Sequence, residues 1–318
     1  MREVVIGVDI GGTFTKYGII DRNGNCLIES SIDTNSGNGV EAFLKDATKA
    51  FKNDLAKFSD VTLKGIGIGA PNGNYYNGTI EFAPNLKWKG IVHLVDLFKK
   101  NFNVPIFLTN DANAAAIGEM IYGNAKSLRD FIVITLGTGL GSGIVSNGEL
   151  IYGHDGFAGE IGHTIVRHNG RQCGCGRKGC LETYASATGI KRTVFKLLAD
   201  SLEESKLRSV SFNELTAEMI TEAAKKGDKI ALEAFEYTGL LLGQKLADSV
   251  AYTSPQVIFL FGGLAKAGNL ILEPTRRHLE DNLLNIYKGK VKVLISGMEE
   301  LNAAIMGAGA LAWKELEK

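Results

Sequence analysis

The most distinctive chemistry of this sequence lies in one short segment that carries an imidazole and three thiols: His163, Cys173, Cys175 and Cys180. Three thiolate sulfurs and one imidazole nitrogen complete a tetrahedral zinc site, and a site with no open coordination position is structural. Glycines at positions 174, 176 and 179 allow the tight turns that a metal-binding knuckle needs. The spacing therefore predicts a structural Zn²⁺ that shapes this loop and does not take part in chemistry.

Disulfides and unrelated free thiols are the other two interpretations of these cysteines. The chain has four cysteines in 318 residues and no apolar signal segment after Met1, so we expect a cytoplasmic protein in a reducing compartment. Cys173 and Cys175 are also too close in sequence for an easy bridge. Cys26 stands apart from the group and is predicted to be a packed, inert side chain.

Two segments with the order strand, glycine turn, strand form an approximate internal repeat. The first covers residues 4–21 and the second covers residues 131–146. Backbone N–H groups and threonine hydroxyls in such turns can form anion-binding concavities. Each turn alone could be a tight hairpin only, but their duplication favours a polyphosphate site. The predicted phosphate-binding residues are Gly11, Gly12 and Thr13 in the first turn, and Gly137, Thr138 and Gly139 in the second.

Two common nucleotide-binding motifs do not fit these turns. A dinucleotide fingerprint needs a helix directly after its glycines, whereas a strand pattern follows Gly139. A P-loop needs a Gly-Lys-Ser/Thr sequence, which neither turn contains. Asp9, at the end of its strand, is placed to hold Mg²⁺ through water, and Lys16 could reach a terminal phosphate.

Composition narrows the class of protein. A length of 318 residues suits two domains, and the balance of 35 basic and 35 acidic residues favours neither nucleic acid nor an anionic membrane surface as a partner. No apolar run is long enough to span a bilayer. Each half is predicted to be a mixed sheet covered by helices. The remaining predicted strands are 65–69, 106–109, 257–261 and 291–295, and the predicted helices are 40–57, 112–122, 185–199, 230–251 and 302–316.

Taken together, these motifs resemble those of the ROK sugar kinases, within the actin-like ATPase superfamily. The run from Asp9 to Thr13 resembles the family's first phosphate loop, Thr135 to Gly139 the second, and Phe261, Gly262 and Gly263 the adenosine loop. Residues 159–182 match the family's zinc signature. The resemblance implies an α/β fold with two actin-like (ribonuclease H-like) lobes, each a mixed sheet flanked by helices, with a cleft for ATP between them. The small lobe would contain residues 1–111 and 301–318, and the large lobe residues 112–300.

A sugar kinase needs a carboxylate that accepts the proton of the attacking hydroxyl. Asp111 follows the predicted strand 106–109, and the family pattern from Asn110 to Ala114 implies that this aspartate is the general base. The alternative is that Asp111 only caps the helix that follows.

Polar groups that could bind sugar hydroxyls are Asn85, Asn110, Asp111, Glu160, His163 and Glu182. The resemblance implies that Glu160 and His163 contact the sugar ring, His163 with the nitrogen that does not bind metal, and that Glu182 lies at the anomeric end. The alternative for the glutamates is a solvated surface loop.

The resemblance leads to one preferred function and two others. We expect ATP-dependent phosphorylation of glucose to glucose 6-phosphate, because Asn85, Leu86 and Trp88 look like the glucokinase branch. The second is a kinase for N-acetylglucosamine or N-acetylmannosamine, with space for the acetamido group near residues 69–71. The third is a sugar-sensing regulator, which is disfavoured because the first strand starts at Val4 and leaves no room for a DNA-binding domain before it. The family also implies a homodimer, and lobe closure about junctions near Asp111 and Leu301.

Overall fold

The computed structural model describes residues 1–34, 39–298 and 303–318. The chain divides into two compact units: unit 1 contains Met1–Ser127, Leu150–Ala158 and Gly297–Lys318, and unit 2 contains Leu128–Glu149 and Gly159–Ser296. The lobe limits expected from the sequence, 1–111 with 301–318 and 112–300, stay predictions. The junction predicted near Leu301, and the helix start predicted at Asn302, lie outside the described residues.

Unit 1 is built around a five-stranded mixed sheet. Its strands are β1 (Arg2–Ile10), β2 (Phe14–Asp21), β3 (Cys26–Asp33), β4 (Val61–Ala70), β5 (Gly73–Asn74), β6 (Thr79–Glu81), β7 (Ile91–Val92) and β8 (Ile106–Asn110). The main sheet has the order β3-β2-β1-β4-β8, and β5, β6 and β7 form a small separate sheet. β1 is antiparallel to β2 and parallel to β4, and β4 is parallel to β8, so the ends of β1, β4 and β8 meet at one edge.

Helices cover this sheet: α1 (Gly39–Leu55), α2 (Leu94–Lys99), α3 (Asp111–Ile121) and, from the end of the chain, a helix over Ala303–Leu316. Phe43 and Phe51 of α1 are fully buried in the same core as the β1 side chains. The terminal helix lies directly on the strand glycines, since a Cβ on Gly67 would be 1.8 Å from the Ala308 oxygen. The terminal helix therefore packs closely on β4 of the first sheet.

Unit 2 repeats the arrangement of the first sheet. Its sheet contains β9 (Phe131–Leu136), β10 (Leu140–Ser146), β11 (Glu149–Leu150), β12 (Val257–Phe261) and β13 (Lys292–Ile295), in the order β11-β10-β9-β12-β13. Leu150, the last residue of β11, is the first residue of the unit 1 segment Leu150–Ala158. The helices of unit 2 are α4 (Ala187–Asp200), α5 (Ala217–Lys225), α6 (Lys229–Thr253) and α7 (Asn269–Asn282), so the Ala303–Leu316 helix of unit 1 is α8. The hairpin of β9 and β10 corresponds to that of β1 and β2, which confirms the predicted internal repeat.

The sequence did not indicate every element. It gave no signal for β3, α2, α5 or α7; α2 has only six residues, and α7 contains Pro274, which reads as a helix breaker. The prediction for Cys26 was wrong, because the residue is exposed on the outer strand β3, where its Sγ donates to the Ile28 oxygen at 3.2 Å. In the described part of the chain, no helix combines the length and apolarity needed to cross a bilayer.

Candidate active site and metal centre

Two aspartates lie at the carboxyl-terminal edge of the first sheet. Asp9 of β1 is paired with Gly69 of β4, which is paired in turn with Thr109 of β8. Asp9 and Thr109 are therefore two strand spacings apart, about 10 Å between their Cα atoms. Asp111 follows two residues after Thr109, at the start of α3. The parallel strands thus bring a predicted metal-binding carboxylate and the predicted base to the same edge.

Only one of the two carboxylate oxygens of Asp111 accepts a hydrogen bond from the described residues. Asn110 is the N-cap of α3, and its side-chain oxygen accepts from the Ala112 N–H at 2.9 Å. Asp111 is the first helical residue, and its Oδ1 shares the same N–H at 2.8 Å. Within the described residues, Oδ2 of Asp111 has no hydrogen-bond partner. The capping role that was the alternative for Asp111 belongs to its neighbour, and one carboxylate oxygen remains able to accept a proton.

Both carboxyl groups are less acidic than ordinary aspartates. The pKa of Asp9 is raised to about 6, mainly by burial and also by the charge of Asp111, with Lys16 opposing the shift. Solvent reaches the Asp111 side chain, yet the protein packed around it raises its pKa as well. A general base is most effective when its pKa lies close to the working pH. The surroundings therefore move Asp111 toward the range in which a base works well.

The first glycine turn, residues 11–13, is fixed from two sides. Within the turn, the Gly11 N–H donates to the Phe14 oxygen at 3.1 Å. Thr34, at the end of β3, donates from Oγ1 to the Gly11 oxygen at 2.7 Å and from its N–H to the Thr13 oxygen at 2.9 Å. Sequence reasoning missed Thr34, because only the pairing of β3 with β2 brings it to the turn.

Asn85 and Lys16 are two further predicted residues near this turn. A Cβ on Gly12 would be 2.5 Å from the backbone oxygen of Asn85, so the predicted sugar-binding asparagine is in direct contact with the glycine turn. Lys16 is exposed on β2 and pairs with Asp9 across the hairpin. The candidate site residues of unit 1 therefore lie near the carboxyl-terminal edge of the first sheet.

The second glycine turn, residues 137–139, has the corresponding place in unit 2. The Gly137 N–H donates to the Gly139 oxygen at 3.1 Å. Thr135 accepts from the Gly141 N–H at 3.1 Å, so its hydroxyl braces the turn from the β9 side. Thr138 lies between the two glycines at the tip.

The N-terminus of α4 and the turn that follows β12 both lie beside this second glycine turn. The Gly137 oxygen accepts from the N–H of Ala187, the first residue of α4, at 2.9 Å. Gly262 has a φ of 100°, and a Cβ there would be 2.9 Å from the Leu136 oxygen. The Gly262 and Gly263 turn after β12 thus lies against the second glycine turn. A helix N-terminus attracts anions. The helix itself was predicted over 185–199, whereas its position beside this turn was not.

The four predicted metal ligands come together. The ligand atoms of His163, Cys173, Cys175 and Cys180 all lie within 4.8 Å of one another. The Cys175 and Cys180 sulfurs are 3.6 Å apart, and Cys173 Sγ is 3.6 Å from His163 Nδ1. Tetrahedral zinc with bonds of about 2.3 Å to sulfur and 2.0 Å to nitrogen requires about 3.8 Å between two sulfurs and about 3.5 Å between sulfur and nitrogen. The residues therefore fit zinc, bound to His163 through Nδ1.

This metal knuckle, residues 159–182, is tied to the second glycine turn by Glu182. Its Oε2 accepts from the Leu140 N–H at 3.1 Å, and its Oε1 lies 3.5 Å from Cys173 Sγ. A Cβ on Gly139 would be 2.2 Å from Glu182 Oε2, so the glycine is needed for this contact. One carboxylate thus links the metal ligands to the turn.

Glu160 and His163 are held at the start of the knuckle. Buried Ser142 of β10 donates to the Gly159 oxygen and accepts from the Ile161 N–H at 3.3 Å. These bonds hold the backbone on both sides of Glu160, which is exposed. Ser142 is a positioning residue that no motif in the sequence indicated.

The sheets and turns define the class of protein. Two mixed α/β sheets with the same strand order, each with a glycine turn in its first hairpin, are the actin-like (ribonuclease H-like) fold that was expected. The chain belongs to the ROK family, whose sequence profile matches residues 5–315.

Three relatives illustrate the breadth of this family. A glucokinase of Thermotoga maritima is 33% identical over 312 residues, which cover 96% of each chain. The crystal structure of a ROK family glucokinase from Streptomyces griseus, in complex with glucose and AMPPNP, has a TM-score of 0.83 and 32% identity over 98% of this chain and 99% of that one. A xylose repressor of Caldicellulosiruptor bescii is 28% identical over 98% of this chain and 78% of its own length.

Proposed function

We propose that this protein is an ATP-dependent sugar kinase, and that its preferred reaction converts glucose to glucose 6-phosphate. The observation that carries this proposal is the Asp111 carboxylate, which keeps one oxygen without a protein partner at the edge where Asp9 and the first glycine turn also lie. The glucokinase names of similar proteins, and the glucose and AMPPNP in the similar Streptomyces structure, support the same substrates here.

The proposed reaction is a direct phosphoryl transfer. Asp111 accepts the proton of the sugar 6-hydroxyl, the hydroxyl oxygen bonds to the γ-phosphorus, and the bond from that phosphorus to the β-phosphate oxygen breaks with ADP as the leaving group. The two glycine turns offer backbone N–H groups to the phosphates, and residues 262–263 would border the adenosine. Mg²⁺, held by Asp9 through water, would neutralise phosphate charge when bound.

The knuckle supplies the remaining proposed sugar contacts. Because His163 presents Nδ1 to the sulfurs, its Nε2 lies on the opposite edge of the ring and is the nitrogen proposed to meet the sugar. Glu160 is exposed beside it and is proposed to bind neighbouring hydroxyls. Glu182 is already bonded to the Leu140 N–H, so its proposed sugar contact would be made by a carboxylate in a fixed orientation.

An N-acetylhexosamine kinase is the second candidate, and one solved relative is described as a putative N-acetylmannosamine kinase. Near residues 69–71, where space for an acetamido group was expected, Gly69 and Ala70 are packed against protein, while Pro71 is partly exposed. A Cβ on Gly69 would be 3.2 Å from the Ala114 Cβ, and Ala70 is completely buried. This packing favours an unsubstituted hexose.

The test is a coupled ADP-release assay with glucose, N-acetylglucosamine, N-acetylmannosamine, mannose, fructose and allose, with product identified by mass spectrometry. We expect the highest kcat/KM with glucose. Equal rates with all six sugars would remove the glucose preference. Sugar binding without any ADP release would instead favour the sugar-sensing regulator, to which the xylose repressor relatives point.

A further inference from the structure

Phe82 combines two features that are each unfavourable for a phenylalanine. Its side chain is 70% exposed, and its backbone has a φ of 50°. The left-handed region is an outlier for a bulky residue, because the Cβ crowds its own backbone there. A glycine would relieve the strain, and a polar residue would suit the exposure.

The surrounding chain holds Phe82 in this conformation. Its N–H donates to the Gly90 oxygen at 2.9 Å, and the Asn72 amide donates to its carbonyl oxygen at 3.4 Å. The preceding residue, Glu81, is fixed through its N–H to the Asn72 oxygen at 3.1 Å and through its carboxylate to the Asn74 amide at 3.1 Å. Strain that the surroundings maintain in this way is concentrated at functional sites.

The segment that carries Phe82 lies between the parts of the candidate active site in unit 1. On one side, a Cβ on Gly73 would be 2.3 Å from the Thr109 oxygen, two residues before the proposed base. At its other end, the backbone oxygen of Asn85 lies against Gly12 of the first glycine turn. Phe82 is three residues from that asparagine and is hydrogen-bonded to the residue before Gly73. Phe82 is thus exposed on the segment that borders the proposed sugar site.

We propose that Phe82 is a specificity-determining residue whose ring packs on the C–H face of the hexose, while Asn85 and Asp111 bond the hydroxyls. This proposal rests on the proposed kinase function. A pyranose has polar edges and apolar patches of C–H groups, and an aromatic ring can bury such a patch with little loss of side-chain entropy. An exposed ring contributes little to folding, so contact with a ligand gives the ring a role that the isolated fold does not.

Three variants separate the ring from the backbone. Phe82→Ala and Phe82→Gly both remove the ring, but only glycine removes the strain of the positive φ. We expect both to raise the KM for glucose about tenfold, with kcat and the KM for ATP within about twofold of the wild type. Phe82→Gly should melt at the same temperature as Phe82→Ala or higher. Phe82→Tyr keeps the ring and should keep the wild-type KM.

Ile91→Ala is the matched control. Ile91 is 51% exposed and lies opposite Glu81 in the pairing of β6 with β7, so its truncation disturbs the same small sheet without touching the proposed site. We expect an unchanged KM for glucose in this variant.

Four other outcomes would contradict the proposal, and the measurements distinguish them from one another. An active wild type with unchanged glucose KM in both truncation variants rejects the role of Phe82 and leaves the kinase function intact. A raised KM in Phe82→Ala but not in Phe82→Gly assigns the effect to the backbone. An unchanged KM with altered sedimentation makes Phe82 a contact between copies of the chain. A wild type without hexose-dependent ADP release rejects this proposal together with the proposed function.

Discussion

At the scale of single residues, Asp111 is the side chain on which the proposed chemistry depends. Asp111→Asn removes the proton acceptor but keeps the size of the side chain and its bond to the Ala112 N–H. We expect kcat to fall at least about 100-fold, with the dissociation constant for glucose changed less than about threefold. Single-turnover kinetics and calorimetric titration measure the two quantities.

Asp60→Asn is the control for this substitution. Asp60 is exposed and precedes β4, so the variant loses the same charge at a distance from the carboxyl-terminal edge of the sheet. It should leave kcat unchanged. An Asp111→Asn enzyme that keeps more than a tenth of the wild-type kcat would assign the base to another group.

The raised pKa of Asp9 gives a prediction about stability. Its value is about 6 in the folded chain against 3.8 for an ordinary aspartate, so the ionised group disfavours folding. Its favourable contribution is complete below pH 3.8 and is lost as the pH rises through 6. We therefore expect Asp9→Asn to raise the free energy of unfolding at pH 8 by on the order of 1–3 kcal/mol, and to have no such effect at pH 3.5.

Urea unfolding of both proteins in metal-free buffer at the two pH values tests this expectation. Added Mg²⁺ and ATP should stabilise the wild type and not the variant, because Asp9 is the proposed metal carboxylate. A variant that is less stable than the wild type at pH 8 in metal-free buffer would show that the ionised carboxylate has a favourable partner.

At the scale of elements, the metal knuckle should fold with its metal. Cys175→Ser removes one of four ligands, and since metal binding contributes folding energy, we expect zinc content to fall from about one per chain and amide protection over residues 164–181 to decrease. Affinity for glucose should fall too, because Glu182 contacts both Cys173 and the Leu140 N–H. Cys26→Ser is the matched control and should change neither quantity. A verified zinc-free protein with unchanged glucose affinity would separate the knuckle from the sugar site.

The contact of α8 with the first sheet depends on glycines in the strands. Gly67→Ala would place a Cβ 1.8 Å from the Ala308 oxygen, so α8 or β4 must shift. We expect a loss of at least about 3 kcal/mol in the free energy of unfolding. Gly65→Ala, in the same strand, meets its nearest atom, the Pro105 oxygen, at 3.2 Å and should cost far less. Equal losses in the two variants would contradict the packing argument.

Local patterns predicted the elements that carry the site, but not the contacts that hold it. β1 and β9 are continuous apolar strands that end at glycines, and the thiol spacing alone indicated the knuckle. Thr34 and Ser142 have no sequence signal, since their roles arise only when β3 pairs with β2 and when the knuckle contacts β10. Asn110 and Asp111 are both good capping residues, and only the structure shows that Asn110 takes that role. The candidate site residues could be named from the sequence. The hydrogen bonds that hold them in place form only between segments that are distant in the chain, so the sequence alone did not indicate them.

At the scale of the whole molecule, the proposed machinery is divided between the two compact units. Unit 1 contains the proposed base, the proposed Mg²⁺ carboxylate and the first glycine turn, whereas unit 2 contains the second glycine turn, the adenosine turn and the knuckle. Neither unit alone carries a complete set for phosphoryl transfer. The homodimer expected from the family stays a prediction that sedimentation can test.

This division predicts that ATP turnover depends on the sugar. The proposed contacts to the hexose favour, once the sugar is bound, the state in which its hydroxyl can attack ATP. Water makes none of these contacts, so we expect ADP release without sugar to stay below about 1% of the rate with saturating glucose. Xylose, which lacks the 6-hydroxymethyl group, should raise this basal rate, because it can make the same ring contacts and still leave space for water at the γ-phosphate. Equal basal rates with and without xylose would show that engagement of the sugar ring does not control access of water to ATP.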